Sequence, residues 1–233
     1  MKTIEEHTFR PYDRELNQLR QTVLEMGRAV ERQVEKAVEG VRKGDQALFD
    51  EVLQTERSIN EEDRRVFEQS VQLIVRNAPA AADLRLVMSS LQISKDLERI
   101  GDEAKKIAKS GIRLYQAAPS FTPAIELELI TRTTLAMLHA SLDAYARLDD
   151  SQAQEILADD RTVDAMFKGI LRELITYMME DPRTISHSLE LVFVAKSLER
   201  VGDHAKNVIE QVVYLVEGRD IRYTPEAKPQ PPQ

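Results

Sequence analysis

Residues 97–105 read Leu-Glu-Arg-Ile-Gly-Asp-Glu-Ala-Lys, and residues 198–206 read Leu-Glu-Arg-Val-Gly-Asp-His-Ala-Lys. Seven of the nine positions are identical and one more differs only as Ile against Val. Upstream, Glu56-Arg57-Ser58-Ile59-Asn60 aligns with Asp160-Arg161-Thr162-Val163-Asp164, and Pro79 aligns with Pro182. Matches that recur in the same order at nearly constant separation mark a tandem duplication of one supersecondary unit, here about 105 residues long.

Proline shows what that unit is made of. The nine prolines fall at 11, 79, 119, 123, 182, 225, 229, 231 and 232, leaving four long Pro-free stretches between them. Proline disrupts helix interiors, so each stretch is open to continuous helix. Gly44-Asp45 divides the first stretch and Leu148-Asp149-Asp150-Ser151 divides the third. Six helices are expected, at about 13–43, 45–76, 80–116, 122–148, 150–180 and 184–217, each near 30 residues or roughly 45 Å long. The fold class is therefore all-α: six long helices forming two tandem, sequence-related three-helix bundles. Residues 1–118 form the first repeat and 119–223 the second. The proline-rich stretch 224–233 has no apolar periodicity and is expected to be disordered.

Composition agrees with this and excludes several functions. The 233 residues include 8 Gly and no Cys, with aromatics at 5%. Average Gly usage is roughly 7%, and neither a GxGxxG nor a GxxxxGK[ST] phosphate loop occurs. Without Cys there is no disulfide scaffold, thiolate metal site or cysteine nucleophile. Acidic residues outnumber basic ones 40 to 32, for a net charge of −8, which argues against a nucleic-acid face. There is no apolar run of membrane-spanning length and no signal-peptide h-region, so a cytoplasmic location is expected.

The duplicated string contains a Glu and an Asp four residues apart, which places both on one helix face. With this acid content about seven such pairs arise by chance, most of them solvated. The pairs at Glu98/Asp102 and Glu199/Asp203 differ because they extend apolar lines: Leu84, Val87 and Leu91 lead to Ser94, Glu98 and Asp102, while Val192 and Ala195 lead to Glu199 and Asp203. A second line (Leu86, Ile93, Leu97, Ile100, Ala104, Ile107) stays apolar and faces its own bundle. On the preceding helices Phe49 and Leu53 run into Glu56 and Asn60, and Asp160 and Asp164 precede Phe167 and Leu171. Half-buried carboxylates repel one another unless cations neutralise them. A metal held by oxygen ligands is one solution, suiting Mg, Mn, Ca, Fe or Zn. A salt-bridge network through Arg99, Arg200, Lys105 and Lys206 is the other. Gly101 and Gly202, each mid-helix at a cost of about 1 kcal/mol, fit either close ligand approach or tight helix packing.

The two strings, each followed by Ala-Lys, resemble the signature of the PhoU family of phosphate-signalling regulators. Pro79-Ala80-Ala81-Ala82-Asp83-Leu84-Arg85-Leu86-Val87 resembles that family's P-x-A-x-D-L-R-x-V segment, and Tyr177-Met178-Met179-Glu180-Asp181 resembles the close of its fifth helix. The likeness runs from about Arg14 to Arg222. It implies two three-helix bundles, E(D)xxxD motifs holding multinuclear metal clusters, and a homodimer. The implied ligands are Glu98, Asp102, Glu199, Asp203, Asp160 and Asp164, with Glu56 and Asn60 at the remaining positions. Asn60 departs from the pattern, since its amide ligates without charge; Asp63 lies near the same face as a substitute. The resemblance further implies a non-catalytic negative regulator that couples a phosphate-importing ABC transporter to a membrane sensor histidine kinase, associating with the membrane through those partners.

Three other functions compete. A di-metal oxidase needs Glu-x-x-His pairs, and none of His7, His139, His187 or His204 has an acid three residues earlier. A histidine phosphotransfer domain needs a motif-embedded histidine, yet His204 stands where the first repeat has Glu103. His204 is read as a surface residue or an accessory ligand. A metal-free helical adaptor shares the leading fold and partners and differs only at the carboxylates.

Overall fold

The computed structural model describes residues 10–116 and 127–222. Its helices are α1 (Arg10–Lys43), α2 (Gln46–Asn77), α3 (Ala81–Gln116), α4 (Glu128–Arg147), α5 (Ala153–Glu180) and α6 (Ile185–Glu217), with a 3-10 turn at Pro182–Thr184 before α6. The expected junction at 118/119 and the tail at 224–233 lie outside the described residues, as does the expected start of the fourth helix at 122. The described α4 has 20 residues, short of the 27 expected for 122–148.

Turn chemistry accounts for the breaks. Gly44 takes the left-handed conformation at φ 67°, where a Cβ is costly, and Asp45 then caps α2 by accepting from the Ala47 amide. The two equivalent prolines act differently. Pro79 follows Ala78, which ends α2 in a left-handed conformation. Pro182 opens the 3-10 turn, and Asp181 caps it by accepting from the Arg183 amide.

The first repeat packs α1, α2 and α3 together, and the second packs α4, α5 and α6. α1 contributes an unbroken buried stripe: Leu16, Leu19, Val23, Met26, Val30 and Val34. The two bundles share one continuous core. α3 and α6 form the most extensive helix pair in the molecule, exceeding any pair within a bundle, and α1 touches α4. Among the described residues, α2 packs on α1 and α3, and α5 packs on the helices of its own bundle and the 3-10 turn. Polar groups cross the joint as well. Arg20 donates to the Ala146 carbonyl at 2.7 Å. The fully buried Tyr145 hydroxyl pairs with Ser90 Oγ at 2.6 Å. No helix among the described residues is long and apolar enough to cross a membrane.

Glycine supplies one close fit that holds the first bundle together. The buried Phe49 ring sits between Gly40 on α1 and Gly111 on α3. A Cβ at Gly111 would stand 2.4 Å from Phe49 Cζ, and one at Gly40 2.6 Å from Cε1. Overpacking of this kind costs roughly 1–3 kcal/mol. Gly111→Ala is therefore expected to lower the melting temperature by several degrees, whereas Gly202→Ala, whose Cβ meets Val163 Cγ1 at an ordinary 3.4 Å, leaves it unchanged or raises it. Thermal unfolding of the two variants side by side checks this; equal melting temperatures would contradict the packing.

Candidate metal centres

In the second repeat the groove between α5 and α6 gathers four carboxylates. Asp160 is buried and Asp164 half-buried on α5; on α6, Glu199 is buried and Asp203 is exposed at the mouth of the groove. Each pair is spaced four residues along its helix, so both acids of a pair face the opposite helix. Their proximity shows in protonation: Asp203 is pushed above the usual carboxylate range, first by burial, then by Glu199, Asp160 and Asp164. Two lysines offset this charge. Lys206 Nζ donates to Asp160 Oδ2 at 2.9 Å. Lys196 Nζ donates to both Glu199 oxygens and stands 5.2 Å from the centre of the Phe167 ring, a cation–π distance.

The groove between α2 and α3 repeats the arrangement with one exchange. Glu56 and Asn60 lie on α2, Glu98 and Asp102 on α3. Lys105, the equivalent of Lys206, pairs with Glu56. Glu98 is pushed up by burial and by Asp102, with a further contribution from Asp63. Asn60 is exposed, but Asp63 is buried and accepts from Ser94 Oγ at 3.1 Å and from Lys95 Nζ at 2.5 Å. Where the second repeat has Asp164 and Phe167, the first has Asn60 and Asp63. The carboxylate lost at Asn60 returns one turn along α2, so each groove holds four acids and two lysines. The lysines preceding each Leu-Glu-Arg, Lys95 and Lys196, were the signal in the sequence that the carboxylates have resident partners.

Donor chemistry here fits hard or borderline cations: every candidate ligand offers oxygen, on two facing helices, with mutual repulsion for a cation to relieve. As the side chains stand, among the described residues no three His, Asp or Glu groups converge to hold a metal ion. Glu56 and Asp160 are instead engaged by Lys105 and Lys206, as the salt-bridge reading expected. Arg200 reaches Glu103 at 3.5 Å.

Two readings left open by the sequence are resolved by the neighbours of the residues concerned. Gly101 faces its own bundle, where a Cβ would meet Gln33 Oε1 and Ile59 Cδ1 at 3.2 Å, and Gly202 faces Val163 and Met137. Both glycines therefore face into their own bundles and not toward the acids, and only at Gly101 is the packing tight enough to disfavour a Cβ. His204 is neither a free surface residue nor a ligand in this arrangement. Its Nδ1 lies 2.8 Å from Asp96 Oδ1, and Asn207 Nδ2 donates to the same oxygen at 2.9 Å, so both tie α6 to α3.

The raised Asp203 gives a signed pH dependence. A carboxyl whose folded pKa exceeds its unfolded value destabilises the fold while it is charged, and that penalty disappears as pH falls through the folded pKa. In metal-stripped protein Asp203→Asn should raise the melting temperature at pH 7, with the gain shrinking toward pH 4. A lower melting temperature for the variant at pH 7 would show that Asp203 is not held among like charges.

The sequence matches the family model described as PhoU domain twice, over residues 23–111 and 127–212. It is 42% identical over 217 residues to the phosphate-specific transport system accessory protein PhoU homolog of Pseudomonas aeruginosa, covering 93% of this chain and 90% of that protein. It is 37% identical over 222 residues to the phosphate-specific transport system accessory protein PhoU of Escherichia coli, covering 94% and 91%. Among solved structures, that of PhoU from Pseudomonas aeruginosa superposes with a TM-score of 0.86 at 42% identity, covering 89% of this chain and 100% of that one. The phosphate transport system regulatory protein PhoU from Streptococcus pneumoniae superposes with a TM-score of 0.83 at 27% identity, covering 90% and 99%. With the domain present twice and its fold reproduced in both halves, the chain belongs to the PhoU family.

Proposed function

We propose that this chain is a non-catalytic negative regulator of the phosphate-starvation response. It couples a phosphate ABC transporter to a membrane sensor histidine kinase through protein contacts, acting in the cytoplasm as a homodimer. The observation that carries this reading is similarity along nearly the whole chain to relatives named as accessory proteins of a phosphate-specific transport system. Helical surfaces without a membrane-spanning helix among the described residues suit a protein that reaches the membrane through its partners.

Each duplicated carboxylate set is read as holding divalent or trivalent metal ions, with Fe, Zn, Mn and Mg all compatible with oxygen ligands. Glu98, Asp102, Glu56 and Asn60, joined by Asp63, would serve the first groove; Glu199, Asp203, Asp160 and Asp164 would serve the second. A bound cation supplies positive charge that the chain lacks at these points. The chain's own contribution is rigid spacing: the carboxylates of α3 and α6 stand on helices fixed by the core, while those of α2 and α5 stand on helices packed at the two edges. A cation in either groove therefore fastens an edge helix to a central one. The lysine pairs at Glu56 and Asp160 favour a second reading, a metal-free adaptor with the same partners.

Deleting the gene should switch on phosphate-starvation genes in phosphate-replete medium, measured as reporter expression; continued repression would rule out negative regulation. Metal content separates the two readings of the grooves. Protein purified without chelator should carry iron, zinc or manganese, and the Asp102→Ala/Asp203→Ala double variant should carry much less. Metal-free wild-type protein whose melting temperature is indifferent to these ions would leave the adaptor reading.

A further inference from the structure

We propose that Lys105 and Lys206 are built-in counter-cations of the two carboxylate grooves, displaced when a metal ion binds, so that each groove exchanges an ammonium for a metal. The inference rests on the metal reading above and adds the residues that set the threshold for loading.

Equivalence is the first argument. Lys105 and Lys206 occupy the last position of the duplicated string, and each reaches across to the neighbouring helix to engage the matching acid, Glu56 or Asp160. The other two groove lysines do not repeat in this way. Lys95 pairs with Asp63, whereas Lys196 pairs with Glu199 on its own helix, because Phe167 stands where the first repeat has Asp63. Duplication has preserved only one of the two lysine contacts, and it is the contact that joins the central helix to the edge helix.

Location is the second argument. Exposed ion pairs are worth little, but each of these shelters its acid: the Lys105 and Glu56 side chains are 25% and 27% exposed, and Lys206 and Asp160 36% and 9%. The acids they hold are the ones a cation shared between the helices would need. With Glu56 and Asp160 turned to an ammonium, no three carboxylates among the described residues share a point.

Charge balance is the third. With all four carboxylates charged, two ammonium groups leave each groove negative by two. An ammonium carries one charge and three donors, whereas a divalent cation carries two charges and draws in six or more oxygens. Exchange therefore removes more repulsion than the lysine does. For Lys206 a second carboxylate is at hand to receive the displaced ammonium: Glu210, buried one turn along α6.

The test is a calorimetric titration of Mn2+ into metal-stripped full-length protein, comparing wild type with Lys105→Gln/Lys206→Gln and with Lys105→Met/Lys206→Met. Both double variants should bind Mn2+ at least about tenfold more tightly than wild type, melt lower without metal, and gain more in melting temperature on its addition. The Gln pair keeps the stem and a donor without the charge, so it separates loss of charge from loss of packing. Lys196→Gln, whose lysine grips a carboxylate on its own helix, should tighten binding less. Binding by wild type with equal or weaker binding by both double variants would overturn the exchange and leave the metal reading intact. Binding by none of the proteins would overturn both. Binding by the double variants alone would support the exchange in its strongest form.

Discussion

A helix can turn only a limited arc of its surface toward one neighbour, and α3 and α6 each have two neighbours to satisfy. One arc of α3, through Leu86, Ile93, Leu97, Ile100 and Ile107, fills the first bundle; on α6, Leu198, Val201, Ala205 and Val208 do the same for the second. A further arc joins the two helices along the most extensive pairing in the molecule. Little of either circumference remains, and the acids of the duplicated string fall on the edge facing α2 or α5. Their partial burial follows from this double commitment. It explains why an acid pair that would be solvated on an ordinary amphipathic helix is here short of water and of positive charge.

The same constraint links charge to shape. Among the described residues α2 and α5 each pack against their own bundle alone, so they are the elements whose position responds most directly to what lies between them and the centre. Across those gaps run Lys105 to Glu56 and Lys206 to Asp160. Whatever cation occupies a groove also bridges an edge helix to the shared core. On the proposed function, a change of cation would be a change in how firmly an outer surface is held, and so a way for protein contacts to respond to it. The seam between α3 and α6, closed by Asp96 with His204 and Asn207, joins the two grooves through one core.

Most of the fold was legible in the sequence because its breaks are chemically explicit. Gly44-Asp45, Pro79 and Asp181-Pro182 each end or cap a helix for a local reason, and the described helix ends fell within a few residues of expectation except the start of α4, which comes at Glu128 and not near 122. The burial of Leu97, Ile100, Val201 and Ala205 followed from periodicity. The position of the acids along half-apolar lines was legible for the same reason. Gly101 was ambiguous because spacing along one helix does not show which neighbour a missing side chain faces; Ile59 and Gln33 supply that answer. The partners of Lys105 and Lys206 lie 49 and 46 residues away on another helix, and His204 meets Asp96 across 108 residues. Such contacts leave no local pattern. Asp63 was visible only as a substitute, and its place emerges when both repeats are compared in three dimensions.

The central claim is that these two grooves are paired cation sites built by duplication. Crystals grown from protein purified without chelator, with diffraction data collected on either side of the iron, manganese and zinc absorption edges, test it most directly. The account predicts anomalous density in both grooves, between Glu98/Asp102 and α2 and between Glu199/Asp203 and α5, with Lys105 and Lys206 turned away from Glu56 and Asp160. Grooves without anomalous density, with both lysines still on those carboxylates in metal-soaked crystals, would contradict it.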